Sequence, residues 1–166
     1  MIDRIVRAIR LDWTVFGEIA QDREAMTEAA IIVAIVTGLS ALGSAAHAPK
    51  FVTSFLVNWL LGILSGWFLW AAITYFVGTV LFKGETTIAA MLRVLGYASA
   101  PLLLGVLGFV PCIGVFMPFL GRVLALIAGV LAIREALDLD TGQSIVTVVI
   151  SWFLSVSIQA VFWFLF

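Results

Sequence analysis

The chain is poor in the residues on which most active-site chemistry depends. Cysteine and histidine each occur once in 166 residues, as Cys112 and His47. A lone cysteine excludes an intramolecular disulfide, and one histidine with one cysteine cannot build a His/Cys metal cluster within a single chain. His47 lies in a segment far from any acid, so nucleophile–base–acid arrangements built on histidine fail as well. No glycine-rich phosphate loop follows a strand-like run, and no basic face is wide enough to suggest nucleic acid. Charge is scarce too, at 11% of residues, against about 25% in soluble domains. The first ten residues include Asp3, Arg4, Arg7 and Arg10 with no short apolar core and cleavage site after them, so the N-terminus does not read as a signal peptide. The expectation is a non-enzymatic protein with no cofactor and no metal.

What the chain has in abundance is apolar surface. Hydrophobic residues make up 63% of the sequence and mean hydropathy is +1.19, which places it among integral membrane proteins. The reading is an all-α membrane protein of five transmembrane helices in one bundle, preceded by a short amphipathic segment over 1–28. The bundle is expected over 29–166, with spans at about 29–46, 51–82, 87–110, 116–136 and 143–166.

Ten of the nineteen charged residues fall in the first 28 positions. There Ile2, Ile5, Val6 and Ile9 share one helical face, with Asp3, Arg4, Arg7 and Arg10 around the other. Trp13 and Phe16 continue the apolar side. Arg4, Arg7, Arg10 and Trp13 are the candidates for contact with a membrane surface, as an interfacial helix attracted to anionic lipid. The alternative is a cytosolic helix folded against the bundle.

Within the first span, Gly38, Ser40, Gly43 and Ser44 favour close helix contact. The run from Phe51 to Phe82 is too long for one upright crossing and too short for two with a turn, so a tilted helix with an interfacial extension is expected. Its Gly62-Ile63-Leu64-Ser65-Gly66 is a small-xxx-small contact. Trp59, Trp67 and Trp70 cannot all sit at headgroup level, so some must pack within the bundle. Lys83-Gly84-Glu85-Thr86 forms a polar turn, with Thr86 or Thr87 capping the third span. Pro111-Cys112-Ile113-Gly114 ends that span, and the short link makes spans three and four an antiparallel hairpin. In span four, Gly121, Ala125, Ala128, Gly129 and Ala132 form a stripe of small residues suited to close packing. Trp163, Phe164 and Phe166 suit a membrane interface.

Orientation follows from the cations. With a cytoplasmic N-terminus, Arg4, Arg7, Arg10, Arg23, Lys83, Arg93 and Arg134 lie at the inner face, Lys50 lies outside, and Arg122 falls in the outer half of span four. That asymmetry predicts N-terminus in and C-terminus out.

The unusual stretch is 93–101, with a cation, a Gly-Tyr pair and a proline inside an apolar helix. Arg93, Tyr97 and Pro101 stand at i, i+4 and i+8, with Gly96 and Ala100 nearly on the same face. Pro101 supplies no N–H to the carbonyl of Tyr97, which needs another donor: a water, Arg122, Asn58 or Ser99. Gly105 and Gly108 extend the face and are expected to admit another helix. Gly96, Tyr97 and Pro101 are read as a joint, either a hinge with a small polar cavity or a packed kink. Arg93, Asn58, Arg122 and Glu135 are the candidate buried polar residues. Arg93 is expected to snorkel or to pair with Glu135 first and Glu28 second. Arg122 either snorkels outward or donates to freed carbonyls.

RVLGYASAPLLLG at 93–105, the Pro-Cys-Ile-Gly turn, REALDLDTGQ at 134–143 and DWTVFGEIAQDREA at 12–25 together resemble the YIP family, membrane proteins of the Ypt/Rab-interacting type, in its prokaryotic form. The resemblance covers nearly the whole chain, and Gly96-Tyr97-x-x-x-Pro101 is its most specific element. It implies five spans with a cytoplasmic N-terminus and a prokaryotic cytoplasmic membrane as the location. Eukaryotic relatives act in vesicle trafficking and associate with Rab-type GTPases through long N-terminal regions. This chain lacks such a region and the Asp-Leu-Tyr-Gly-Pro element, so GTPase binding is not carried over. The expected partners are membrane lipids and a membrane-protein partner or a second copy of the chain. The expected role is organising membrane or protein assemblies; the alternative is a small channel, transporter or lipid-moving protein with a polar path between helices.

Overall fold

Two short helices, α1 (Ile2–Ile9) and α2 (Thr14–Gln21), precede helices of membrane-spanning length. In this computed structural model the described residues are 1–46, 48–109 and 116–165, and the side chains at 108, 109, 159 and 161–165 are not described. His47, the Pro111–Gly114 turn, Trp163, Phe164 and Phe166 therefore lie outside what is described. Among the described residues, five helices are long and apolar enough to cross a membrane: Ala25–Ala45, Phe51–Phe82, Ile88–Leu107, Phe116–Leu137 and Thr141–Ile158. Among the described residues there is no strand. The first of the five is α3, Ala25–Ala45, which begins early enough to carry Glu28 on its first turn.

The second, Phe51–Phe82, is 32 residues long, and a turn of different pitch interrupts it. α4 (Phe51–Ile63) passes into a π-helical stretch, Leu64–Leu69, and continues as α5 (Trp70–Phe82). A π turn accommodates one extra residue and rotates the rest of the helix about its axis. Here the bulge coincides with Trp67, which is buried and donates its indole N–H to the carbonyl of Leu92 at 2.9 Å. Trp59 reaches the carbonyl of Ala34 at 2.9 Å. Both tryptophans are thus internal ties between helices. Of the small-xxx-small motif, Gly62 is the half in use: a Cβ there would lie 3.3 Å from Thr37, while Gly66 faces open space.

Turn chemistry sets the ends of the remaining helices. α5 stops at Lys83, which is left-handed (φ 57), and Gly84 N–H returns to the carbonyl of Gly78 at 3.2 Å, satisfying one of the last carbonyls of the helix. α6 (Ile88–Ala98) starts with Thr87, whose hydroxyl accepts from Ala90 N–H at 3.1 Å. Such a cap contributes about 1 kcal/mol. α7 (Phe116–Leu137) ends at Asp138 with φ 51. Asp140 then caps α8 (Thr141–Leu165): its carboxylate accepts from Gln143 N–H at 2.9 Å, and the Gln143 side chain accepts from Asp140 N–H at 3.3 Å. This reciprocal pair is a capping box.

α6 is the central element. Every residue from Ala90 to Ala98 is buried, and over an 18-residue apolar stretch of each span 61% is buried in Ile88–Leu107 against 22–33% in the other four. α6 packs on α2, α3, α5 and α7, so its cation and tyrosine are enclosed by protein. At Pro101 the α-helix tightens into a 3-10 stretch, Ala100–Phe109, and Leu102 N–H bonds to the carbonyl of Ser99 at 2.9 Å. The missing proline N–H and the crowding of its ring account for the change of pitch. The hairpin with α7 closes at Gly121, where a Cβ would stand 2.7 Å from the carbonyl oxygen of Pro101. Gly121, Ala128, Gly129 and Ala132 of the small stripe are buried. Gly105 has no heavy atom within 4 Å of where its Cβ would be, so it does not admit a neighbour as expected: at this point α7 approaches through Gly121 instead.

Candidate functional site

The site is a cap-and-socket arrangement at the end of the bundle where the chain begins. α1 and α2 fold against the bundle, burying Ala8, Val15, Phe16 and Ile19 in the same core as Ala29, Met91, Val94, Leu95 and Ile133. Burial of a large apolar side chain contributes about 1.5–3 kcal/mol, so three of them anchor the cap firmly. Of the two readings of the segment, the folded one describes how these side chains are spent, while Ile2 (73% exposed) and Trp13 (49%) remain outside.

Arg93 supplies the first polar tie. It is 7% exposed, and its Nε donates to the carbonyl of Ile19 at 3.2 Å while Nη2 donates to that of Ala20 at 2.5 Å. These carbonyls belong to the last turn of α2, where no intrahelical N–H remains to satisfy them. A cation there also complements the negative end of the helix dipole. The expected partners of Arg93 are therefore corrected. Glu135 lies instead against Arg134, Oε1 to Nε 3.5 Å, and Glu28 is taken up by Tyr97.

Tyr97 supplies the second tie. Its side chain is fully buried, and its hydroxyl donates to the carboxylate of Glu28 on α3. That carboxylate also faces the N-terminal ammonium at 3.3 Å and Arg4 at 3.7 Å. Gly96 makes the contact close enough: a Cβ on it would stand 2.7 Å from Cβ of Ala29. Arg4 bridges onward to Asp22 at 2.7 Å. The start of α1, the end of α2, α3 and α6 thus meet at one cluster.

A second cluster brackets α1 to α2. Arg7 bonds to Asp12 at 2.8 Å, Glu18 at 3.0 Å and the hydroxyl of Thr14 at 2.9 Å. Hydrogen bonds from Arg7 hold Glu18 below the ordinary carboxylate range, and the Thr14 hydroxyl followed by Arg7 does the same for Asp12. Arg4, then the N–H of Glu24, lowers Asp22. Glu18 and Asp12 in turn raise Arg7, and Asp22 raises Arg4. Among the membrane-surface candidates, Arg4 and Arg7 are therefore committed to acids of the cap. Arg10 is exposed, and Trp13 lies under the guanidinium of Arg134 at 5.4 Å.

Between α2, the α5–α6 turn and the end of α7 opens a cleft of about 790 Å³. Arg23, Glu85, Arg93, Glu135 and Asp138 line it, so both signs of charge are presented. Among the described residues no group of three or more His, Cys, Asp or Glu is placed to hold a metal.

Two of the expected buried polar residues are elsewhere. Asn58 is exposed on the outside of α4, where its amide donates to the carbonyl of Ser54 at 2.8 Å. Bonding within its own helix satisfies the amide without a buried partner. Arg122 is exposed as well, and it lines two clefts in the half of the bundle away from the cap. Neither residue serves the carbonyl of Tyr97, and the Ser99 hydroxyl bonds to that of Gly96 at 2.6 Å. One feature went unread in the sequence. Ser144, Thr147, Ser151 and Ser155 on α8 are all buried. Their spacing of three, four and four residues marks a polar stripe facing the bundle.

Among the described residues, four membrane-length helices and the central one they enclose, closed at one end by an ion-paired cap, define a polytopic α-helical membrane protein. A Yip1 domain family model matches residues 14–162. The chain belongs to the Yip1 family. No curated protein and no solved structure matches it.

Proposed function

We propose that this protein is a non-enzymatic organiser of membrane assemblies that engages a membrane-protein partner through the cleft beside its N-terminal cap. The observation that carries the reading is the 790 Å³ cleft, lined by Arg23 and Arg93 together with Glu85, Glu135 and Asp138. Its wall is built by the docked cap, so partner binding and cap position are coupled. The excess of Arg and Lys at this end supports a cytoplasmic N-terminus. A prokaryotic cytoplasmic membrane is the location proposed. The transport alternative loses support because Tyr97 is fully buried with its hydroxyl committed to Glu28 and Asn58 is exposed on the outside of α4, so neither lines a path from Arg93 to Arg122.

The test places a photocrosslinking amino acid at Gln21, an exposed residue of the cleft, in native membranes. The reading expects a discrete protein adduct whose yield falls at least fivefold when Glu135 and Asp138 are changed to Lys. An adduct pattern indistinguishable from that of a crosslinker at Val80, exposed on α5 away from the cleft, would defeat it.

A further inference from the structure

Arg122 is a cation inside a membrane-length helix with no counter-charge against it among the described residues. It lies six residues into α7, about 9 Å along the axis from its start, and among the described residues it makes no hydrogen bond or ion pair. No acid lines either of the clefts it borders. An ionised side chain at such a depth needs a partner or a route to water. The two clefts, of about 390 and 460 Å³, share Val36, Ser40, Leu102 and Arg122. They meet at these residues in a groove with Arg122 and Ser40 at its junction and mostly apolar side chains along both arms. Each volume falls within the range of about 300–1,000 Å³ typical of small-molecule sites.

The larger arm runs from Arg122 between α3, the π-helical bulge and α8, past Trp67, Trp70 and Leu126. The indole N–H of Trp70 is buried and unpartnered among the described residues, which leaves a donor beside a mainly apolar arm. The second arm passes Leu39, Leu42 and Val106, side chains exposed on the outside of a membrane-length bundle. An occupant entering there arrives through the bilayer.

We infer that this groove seats a membrane glycerophospholipid, with its phosphodiester on the Arg122 guanidinium at Ser40 and an acyl chain along the arm lined by Trp67 and Leu126. A guanidinium offers paired N–H donors to phosphate oxygens, and Ser40 adds a hydroxyl at the same junction. The charge is complementary, and the apolar arms match hydrocarbon. This seat lies at the end of the bundle opposite the cap, and it neither requires nor implies the partner cleft.

The test uses the full chain in phosphatidylcholine vesicles doped with a phosphatidylglycerol bearing a diazirine on one acyl chain. A matched diacylglycerol carrying the same diazirine chain but no phosphate serves as the comparison probe. After photolysis, labelled positions are mapped by peptide mass spectrometry. The phospholipid probe is expected to label Val36, Leu102 and Leu126 at least fivefold above Val52 and Leu56, exposed residues of α4 outside the groove. The diacylglycerol probe is expected to show no such preference. Arg122→Gln should remove the preference while labelling at Val52 and Leu56 stays constant, which controls for folding and probe access; Arg122→Lys should keep part of it. Uniform labelling of the wild type, equal groove labelling by both probes, or an unchanged pattern in Arg122→Gln would overturn the inference. So would crosslinks joining groove residues to a second copy of the chain.

Discussion

Replacing Gly96 with alanine puts a methyl group 2.7 Å from Cβ of Ala29, with the Ala29 Cα and carbonyl oxygen at 3.3 Å. Ordinary carbon–carbon contact begins near 3.5 Å, so α3 and α6 must separate by roughly 1 Å. Neither partner atom can swing away, because one is bound directly to backbone and the others are backbone. α6 is also held by α2 and α7. Overpacking costs about 1–3 kcal/mol, and the rigid surroundings place this case at the upper end. Alanine's better helix propensity returns about 1 kcal/mol. The expected net destabilisation is about 2 kcal/mol, a shift of about thirtyfold in the unfolding equilibrium. Reversible unfolding in mixed micelles measures it. Adding Ala29→Gly removes the opposing methyl, and the double variant should recover at least about 1 kcal/mol, since touching residues couple by about 0.5–3 kcal/mol. A Gly96→Ala protein as stable as wild type would refute the close-packed joint, as would an Ala29→Gly change that adds to the loss.

Two further outcomes concern the cap. Tyr97→Phe removes the donor to Glu28 from a fully buried site and should cost about 1–3 kcal/mol in the same unfolding measurement, with the helical content unchanged by circular dichroism. Acid should loosen the cap: Asp12 and Asp22 are held below their ordinary 3.8 and Glu18 below 4.5. Groups with depressed folded-state values contribute fully above those ordinary values and lose their contribution as pH falls through the folded ones. Limited proteolysis within residues 1–24 should therefore stay constant from pH 8 down to about 5 and accelerate below about 4, while cleavage of the bundle does not change. Acceleration between pH 7 and 6 would contradict these assignments.

Much of the architecture was legible because apolar runs and polar turns are set by local composition. A threonine cap at 86 or 87, the span-four stripe and the importance of Gly96, Tyr97 and Pro101 could be read from residue type and spacing, and the structure selects Thr87 as the cap. The partners of Arg93 could not, because its acceptors are main-chain carbonyls that become available only where α2 happens to end. Reading the acid nearest in the hairpin as its mate overlooked what a helix terminus offers. The π-helical bulge left only an indirect trace, a span too long for one straight crossing. Asn58 misled because an amide inside a span suggests burial, whereas a bond to Ser54 four residues earlier satisfies it on the surface. The α8 stripe went unread although its helical spacing is in the sequence, because the high apolar content around Ser144, Thr147, Ser151 and Ser155 masked it.

The central claim is that α1 and α2 are held by the bundle through Arg93 and so build the cleft. Hydrogen–deuterium exchange of the chain in lipid nanodiscs, wild type against Arg93→Ala, tests it most directly. Two hydrogen bonds from a charged donor contribute at least about 3 kcal/mol, so opening of the cap should become about 100-fold more frequent. The account predicts that amides of residues 1–24 exchange about that much faster in the variant, with α6 and α7 unaltered. Unchanged protection of 1–24 would mean that Arg93 does not hold the segment, and would contradict the account.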